Sequence, residues 1–212
     1  MVSVLKIVKA NRLLEKAMDD VRIMHKEILE MFEDTWEALE TKDARKAGEV
    51  IGREDKTDQL NRDIRKNVLE YLSGMPMGGN VPLSLILIDF STFLERIADH
   101  ISYIAEDGIS AELGSDKLSK KLETEKDLVL QMLKDMETAF GDCDEALANG
   151  VVGMFDRVDR IHKEILADLY DSDLPPKKVG GVIVIAKNLS RIAKYSKDIV
   201  RTMLRPYQDI VA

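Results

Sequence analysis

An internal repeat constrains the fold of this 212-residue chain more than any other feature of its sequence. Residues 55–64, DKTDQLNRDI, match residues 156–165, DRVDRIHKEI, in acidic and apolar positions and in the sign of most charges. The tripeptide Arg-Ile-Ala at 96–98 likewise recurs at 191–193. Repetition at a fixed spacing indicates a supersecondary unit that packs against its own copy. The chain is therefore predicted to contain two similar structural units.

Each unit carries three amphipathic segments in the order long, medium and long. Their apolar residues recur at three- and four-residue spacing, which is typical of helices that bury one face. Segments rich in glycine, proline and asparagine separate them, and Asp43 is predicted to be an N-cap. The six predicted helices cover residues 2–40, 44–72, 82–107, 117–148, 151–170 and 178–204. The sequence thus predicts an all-α protein of two tandem three-helix bundles, residues 1–107 and 116–212.

Composition supports a helical protein and excludes several functional classes. Hydrophobic residues make up 45% of the chain, charged residues 33% and aromatic residues only 5%, which is unlike a β-sandwich or barrel. The net charge of −8 argues against a nucleic-acid partner, because phosphate binding needs a basic excess. Cys143, the single cysteine, cannot form an internal disulfide and suggests a reducing compartment.

The chain contains no obvious membrane or export segment. Its most apolar run, residues 81–94, is too short to cross a bilayer and includes Asp89. The N-terminus lacks the long apolar region of a signal peptide. We therefore expect a cytoplasmic protein that does not span the membrane, although it can lie against the membrane through a transporter.

The third predicted helix carries two different faces. One face is apolar and includes Leu94, Ile97, Ile101, Ile104 and Ala105. At about 100° per residue, the opposite face carries Glu95, Asp99, Ser102 and Glu106. The Glu95 and Asp99 carboxylates stand one turn apart and repel each other, so a hard multivalent cation between them would remove the repulsion. The alternative is an ordinary solvated acidic face.

This stretch also supports a family assignment. Residues 94–100 read LERIADH and are followed by IAE at 104–106. These two motifs resemble the signature of the PhoU family of phosphate-signalling proteins, which reads LERIGDHA and is followed by NIAE. The resemblance implies the same duplicated three-helix architecture that the repeat predicts. Residues 79–82, GNVP, differ from the family's usual Gln-Pro-Val before the third helix, which indicates a divergent member.

The resemblance implies a metal site made by acidic pairs on adjacent helices. A second Glu-x-x-x-Asp motif lies on the second predicted helix, beside its apolar stripe. The positions that match the family's ligands are Glu54, Asp58, Glu95 and Asp99. A set made only of carboxylates suits iron, manganese, magnesium or calcium better than zinc or copper.

The resemblance also implies a function. It indicates a non-enzymatic regulatory adaptor that couples phosphate status to a phosphate-transport ATPase and a membrane sensor histidine kinase, and we expect a homodimer. One alternative is an accessory or gating module of another ion transporter, such as a sodium–phosphate cotransporter. A second is a metal-dependent helical enzyme, which is disfavoured because no base or nucleophile accompanies the carboxylates.

The second repeat departs from the acidic pattern. Phe155 stands where the first repeat has Glu54. The acidic face of the third helix is replaced by Ser190, Lys194, Lys197 and Arg201. We expect this face to repel cations, and one hypothesis is that Lys194 or Arg191 neutralises Asp156 or Asp159 in place of a metal. The competing interpretation is two independently solvated faces.

The remaining motifs do not indicate a catalytic centre. The three histidines, His25, His100 and His162, are scattered and are expected to be surface or half-buried polar residues. A ferritin-like di-metal site would need two Glu-x-x-His pairs, whereas this chain has one Asp159-x-x-His162. No glycine-rich phosphate loop or nucleophile elbow occurs. We therefore predict that the protein is not an enzyme.

Overall fold

The computed structural model describes residues 12–74, 80–111 and 116–211, with side chains up to residue 204. These residues form helices and turns and no strand. The helices are α1 Arg12–Thr41, α2 Ala44–Ile51, α3 Glu54–Ser73, α4 Val81–Gly108, α5 Lys117–Asp142, α6 Glu145–Tyr170 and α7 Pro176–Val211. Residues 2–11 of the first predicted helix lie outside the described part, and α7 continues past its predicted end at 204. The all-α class is confirmed.

Two three-helix bundles make up the molecule, as predicted. The first contains α1, α3 and α4, with the short α2 against α1 and α4, and the second contains α5, α6 and α7. The first two helices of the repeats match with a shift of 101 residues and the third helices with a shift of 95. Fully buried residues coincide under these shifts, for example Met31 with Met132, Ile64 with Ile165 and Ile97 with Ile192. The two bundles therefore bury residues at corresponding positions in their cores.

A pseudo-twofold axis relates the two bundles. Helices α4 and α7 pack antiparallel at the centre of the molecule, in the most extensive contact of the fold. Phe93 stacks on Tyr195 with a centroid distance of 5.8 Å, and His100 Nδ1 donates a 2.8 Å hydrogen bond to Asn188 Oδ1. Under the shift of 95 residues, Phe93 corresponds to Asn188 and His100 corresponds to Tyr195. Exchanging the two helices therefore converts each of these contacts into the other. The axis therefore passes between the helices near residues 96–97 and 191–192.

The axis arranges the helices in two layers. Behind α4 and α7, α1 contacts α5, where His25 Nε2 donates a 2.8 Å hydrogen bond to the Leu133 carbonyl. Helix α3 packs on α4, and α6 packs on α7. The front layer thus has the order α3, α4, α7, α6, and we call its exposed surface the front face. None of the helices in the described ranges has the length and apolar character that crossing a bilayer requires.

Asp43 is the predicted N-cap, and the second repeat contains its counterpart. The Asp43 carboxylate accepts hydrogen bonds from the backbone N–H groups of Arg45 and Lys46. Asp144 accepts one from Leu147 and starts α6. The prediction that a helix runs to 148 and breaks at 149–150 was therefore wrong. A capping carboxylate fixes the boundary, whereas Gly150 inside a helix costs only about 1 kcal/mol.

The predicted helix over 44–72 is broken at Gly52 and Arg53, which was not expected. The Arg53 N–H donates a 3.0 Å hydrogen bond to the Val50 carbonyl, three residues back. A hydrogen bond of this spacing makes a tighter turn than that of an α-helix. In the second repeat α6 runs straight through the matching positions, 153–154. The break places Glu54 in the first turn of α3.

Candidate cation site

The structure brings all four predicted acidic residues together. Helices α3 and α4 lie side by side, and Glu54, Asp58, Glu95 and Asp99 are half-buried in the groove between them. We call this groove, with its four carboxylates, the acidic groove. Its members lie on two helices that are joined by the segment 74–80, so their proximity depends on the packing of α3 against α4.

The pKa values of three carboxyl groups in the acidic groove are raised. Burial is the largest cause at Glu54 and Glu95, and the charge of Asp99 is the second at both. Burial and then Asp58 raise the pKa of Asp99, while Arg96 opposes the shift. Like charges held partly out of water favour their protonated forms. A cation in the groove would therefore favour the charged forms of these carboxyl groups.

A buried hydroxyl adds an oxygen atom to this groove. Ser102 is only 2% exposed, and its Oγ makes no hydrogen bond of normal geometry. It nevertheless lies close enough to the Glu54 carboxylate to favour its charged form and to oppose the rise in its pKa. Four carboxylates and an unpartnered hydroxyl are all hard oxygen donors, so the donor set fits a hard cation.

The donors do not yet form a ligand cage. Within the described part of the chain, no three His, Cys, Asp or Glu side chains are placed so that they could hold one metal ion. The four carboxylates therefore interact through charge without converging on one point. Metal binding by Glu54, Asp58, Glu95 and Asp99 stays a prediction.

An ion-pair network supports the start of α3. Arg53 reaches back to α1, with Nε 3.4 Å from Glu27 Oε1 and Nη1 3.1 Å from Asp34 Oδ2. Lys56 pairs with the same buried Glu27, and Lys46 pairs with Asp34. The sequence alone does not reveal this network, because its charges come from three helices. The ion pairs of Arg53 and Lys56 connect the helix break before Glu54 to α1.

The matching groove of the second repeat is basic. Lys197 Nζ lies 3.4 Å from the centre of the Phe155 ring, a cation–π contact between α6 and α7. Burial lowers the pKa of Lys197, and Arg201 and Lys194 lower it further against the opposing effect of Asp198. We call the groove lined by Phe155, Lys194, Lys197 and Arg201 the basic groove.

The hypothesis of a cross-helix ion pair in this groove was wrong. Lys194 Nζ lies 2.7 Å from Asp198 Oδ2 on its own helix, and Asp159 pairs with Lys163 at 2.6 Å on its own helix. Arg191 forms no ion pair with any residue that the structure describes. Lys194 and Asp159 each pair with a residue one turn away on their own helix, because i,i+4 neighbours on a helix surface lie close together.

The histidines have structural partners. His25 is buried rather than half-buried, because its ring bridges α1 and α5 through the Leu133 carbonyl. His100 lies half-buried against Tyr195, with ring centroids 5.7 Å apart. His162 Nδ1 lies 3.5 Å from Glu125 Oε1.

Glu125 is a buried acid that was not among the predicted site residues. Its side chain is fully buried, and neither carboxylate oxygen has a hydrogen-bond partner among the described residues. Burial raises its pKa, and His162 opposes that shift. Glu125 occupies the position of Met24 in the first repeat. Its spacing from Leu122 and Val129 on the apolar stripe was the signal that could have revealed it.

Comparison with known proteins agrees with this architecture. The PhoU domain family model matches residues 21–108 and 122–203, one match in each bundle. A phosphate-specific transport system accessory protein PhoU homolog 1 from Thermotoga maritima is 25% identical over 184 residues, which is 84% of this chain and 79% of that protein. A PhoU homolog of the same description from Aquifex aeolicus is 27% identical over 158 residues, 74% of this chain and 72% of that protein.

Solved structures show the same fold. The crystal structure of PhoU from Pseudomonas aeruginosa superposes with a TM-score of 0.85 at 22% identity, covering 93% of this chain and 98% of that one. PhoU from Streptococcus pneumoniae gives a TM-score of 0.79 at 20% identity, covering 90% and 92%. The family match spans both bundles, and the resemblance of residues 94–106 to the family signature lies within it. This chain belongs to the PhoU family.

Proposed function

We propose that this protein is a non-enzymatic regulator that couples phosphate status to a phosphate-transport ATPase and to a membrane sensor histidine kinase. The observation that carries the proposal is the PhoU match in both bundles. The relatives from Thermotoga and Aquifex are accessory proteins of phosphate-specific transport systems. The protein would act at the cytoplasmic side of the membrane, against the transporter.

We propose that a cation binds in the acidic groove. Glu54, Asp58, Glu95 and Asp99, together with the Ser102 hydroxyl, would hold iron, manganese, magnesium or calcium. Support comes from the mutual repulsion of the carboxylates and from the unpartnered buried oxygen. Bound cation would neutralise the groove and fix the side chains of α3 and α4 relative to each other. The ion would thus set the charge that the front face presents.

Phosphate uptake tests the regulatory proposal. Deleting the gene in its host and measuring uptake of radioactive phosphate at low and high external phosphate is expected to abolish the decrease in uptake at high phosphate. Re-expression of the wild-type chain should restore it. Unchanged uptake under both conditions would contradict the proposal.

A second measurement separates the two transporter classes. If an ATP-driven transporter is the partner, the affected uptake persists when the sodium gradient is collapsed and disappears when ATP is depleted. The reverse pattern would favour the sodium–phosphate cotransporter. Copurification of the chain with the ATPase subunits from the same host is the expected physical counterpart.

A further inference from the structure

A cavity lies where the two bundles meet, between the C-terminal end of α1 and the N-terminal end of α5. The buried part of its lining consists of Trp36, Leu39, Ala111 and Leu122. Its volume is about 290 Å³, at the lower end of the range that small-molecule sites occupy. Because Trp36 and Leu39 belong to the first bundle and Leu122 to the second, a molecule bound here would contact both bundles.

Trp36 brings an unpartnered hydrogen-bond donor to the wall of this cavity. The residue is only 9% exposed, and its indole Nε1 has no hydrogen-bond partner among the described residues. A buried N–H group has lost its hydrogen bonds to water, so an oxygen acceptor placed beside it is favourable. Glu137 holds the matching position in the second repeat, so the core of a bundle does not require a tryptophan there.

Lys126 supplies a positive charge beside the same ring. Its Nζ lies 5.6 Å from the centre of the Trp36 ring, and its side chain is only 19% exposed. The ammonium group lies 3.1 Å from the carboxylate of the adjacent Asp127, whose side chain is largely exposed, and an ion pair with an exposed partner contributes little. The ammonium group can therefore also accept an anion from the cavity.

The other charged residues of the lining lie at its rim. Glu40, Lys42 and Glu123 are exposed, so water and salt screen their charges. Among the described residues that line the cavity, Lys126 is the charged side chain that is half-buried. The interior of the cavity therefore combines an apolar surface with a positive charge and a free N–H group.

We propose that this cavity binds a small carboxylate with an apolar body. The carboxylate accepts hydrogen bonds from the Trp36 Nε1–H and from the Lys126 ammonium group, while the apolar part packs on Leu39, Ala111 and Leu122. Hydrogen bonds to an ionised acceptor are stronger than those to a neutral one. The cavity therefore prefers a carboxylate to an alcohol of the same length.

The bound molecule would hold α1 against α5 and so connect the two bundles. The site uses none of the residues of the acidic groove and needs neither a metal nor a transporter. It therefore goes beyond the proposed function and does not depend on it.

Octanoate is a suitable probe for this site. Trp36 is the only tryptophan of the chain, so its fluorescence reports on the cavity directly, and octanoate is expected to change it. Calorimetry is expected to give an affinity for octanoate at least about 10-fold higher than for 1-octanol. Octylamine, which carries the opposite charge, is expected to bind more weakly than octanoate.

Two variants remove the donors one at a time. Lys126→Met keeps an unbranched side chain and is expected to weaken octanoate binding at least about 10-fold while leaving 1-octanol binding unchanged. Trp36→Phe removes the N–H group and is expected to reduce the preference for octanoate over 1-octanol. Lys120→Met changes an exposed lysine of α5 outside the lining and should bind octanoate like wild type. Circular dichroism confirms that each variant is folded.

Three results would overturn the proposal. The first is a wild-type chain that shows neither binding heat nor a change in Trp36 fluorescence with octanoate up to about 10 mM. The second is an affinity for 1-octanol or octylamine that equals the affinity for octanoate, which would show that the cavity does not select an anion. The third is a folded Lys126→Met variant that binds octanoate like wild type, which would place the carboxylate elsewhere.

Discussion

Lys197 lies on the ring of Phe155, with Nζ 3.4 Å from its centre. The matching positions in the first repeat hold Ser102 and Glu54, whose hydroxyl and carboxylate lie side by side. The two repeats therefore differ at this pair of positions, with two oxygen groups in the first and a cation–π contact in the second. The second repeat fills the groove with an aromatic ring and an ammonium group where the first leaves carboxylates facing one another.

Cation binding is predicted in the first repeat only. Wild type is expected to bind Mn²⁺ in calorimetry, and Glu95→Gln/Asp99→Asn is expected to lose the ion because the groove keeps its shape but loses two charges. The control Asp156→Asn/Asp159→Asn removes the same charge from α6 and should bind like wild type. If the control loses the ion and the first-repeat variant still binds it, the cation site lies in the second repeat and the prediction is wrong.

A second cation site is predicted to require the removal of Lys197. The variant Phe155→Glu/Ser190→Glu/Lys194→Asp restores three carboxylates but leaves the Lys197 ammonium beside them. Adding Lys197→Ser removes that charge and recreates the first-repeat arrangement. Elemental analysis is expected to find one additional ion in the quadruple variant and none in the triple. If the folded quadruple variant binds no additional ion, bringing these carboxylates close together is not sufficient for cation binding.

Buried Glu125 is predicted to make stability fall as pH rises. Its pKa is raised in the folded state above its ordinary value of 4.5. The folded protein therefore holds this proton at pH values where the unfolded chain has released it, so unfolding becomes easier as pH rises above 4.5. The variant Glu125→Met/His162→Asn installs the residues that the first repeat has at these positions. Urea unfolding should show it about 1–3 kcal/mol more stable at pH 8 and little different at pH 4.

The single variant His162→Asn is the control for this prediction. It removes the imidazole that favours the charged form of Glu125 and is expected to steepen the loss of stability with pH. A double variant that loses stability with the same pH slope as wild type would show that Glu125 does not titrate in this range.

The ion-pair network under α3 is predicted to be coupled. Glu27→Leu leaves Arg53 and Lys56 without their buried partner and is expected to destabilise the fold by about 1–3 kcal/mol. Leu128 and Met154 hold the matching positions in the second repeat, so Glu27→Leu/Arg53→Met should recover most of that loss. A double-mutant cycle in urea measures the coupling. Additive effects would mean that Arg53 and Glu27 contribute independently.

The helical fold and its duplication can be read from the sequence because their signals are local. Apolar spacing within one helix shows which face is buried, as the matching stripes around Ile97 and Ile192 illustrate. Asp43 is recognisable as a cap because its hydrogen bonds reach only two and three residues ahead. The four acidic positions were named because the resemblance to the PhoU family implies ligands there, and the motif Glu-x-x-x-Asp, which places both carboxylates on one side of a helix, is consistent with that role.

The contacts between helices could not be read in this way. The second predicted helix breaks at Gly52 and Arg53, and the Arg53 side chain pairs there with Glu27 and Asp34 on α1. Nothing near residue 53 in the sequence specifies those partners. The choice of Lys197 rather than Lys194 at the Phe155 ring depends on the rotation of α7 against α6. Periodicity gives the direction of a side chain about its own helix axis. Which side chain it meets depends on how two helices are rotated and shifted against each other, and this is set by the packing of the whole core.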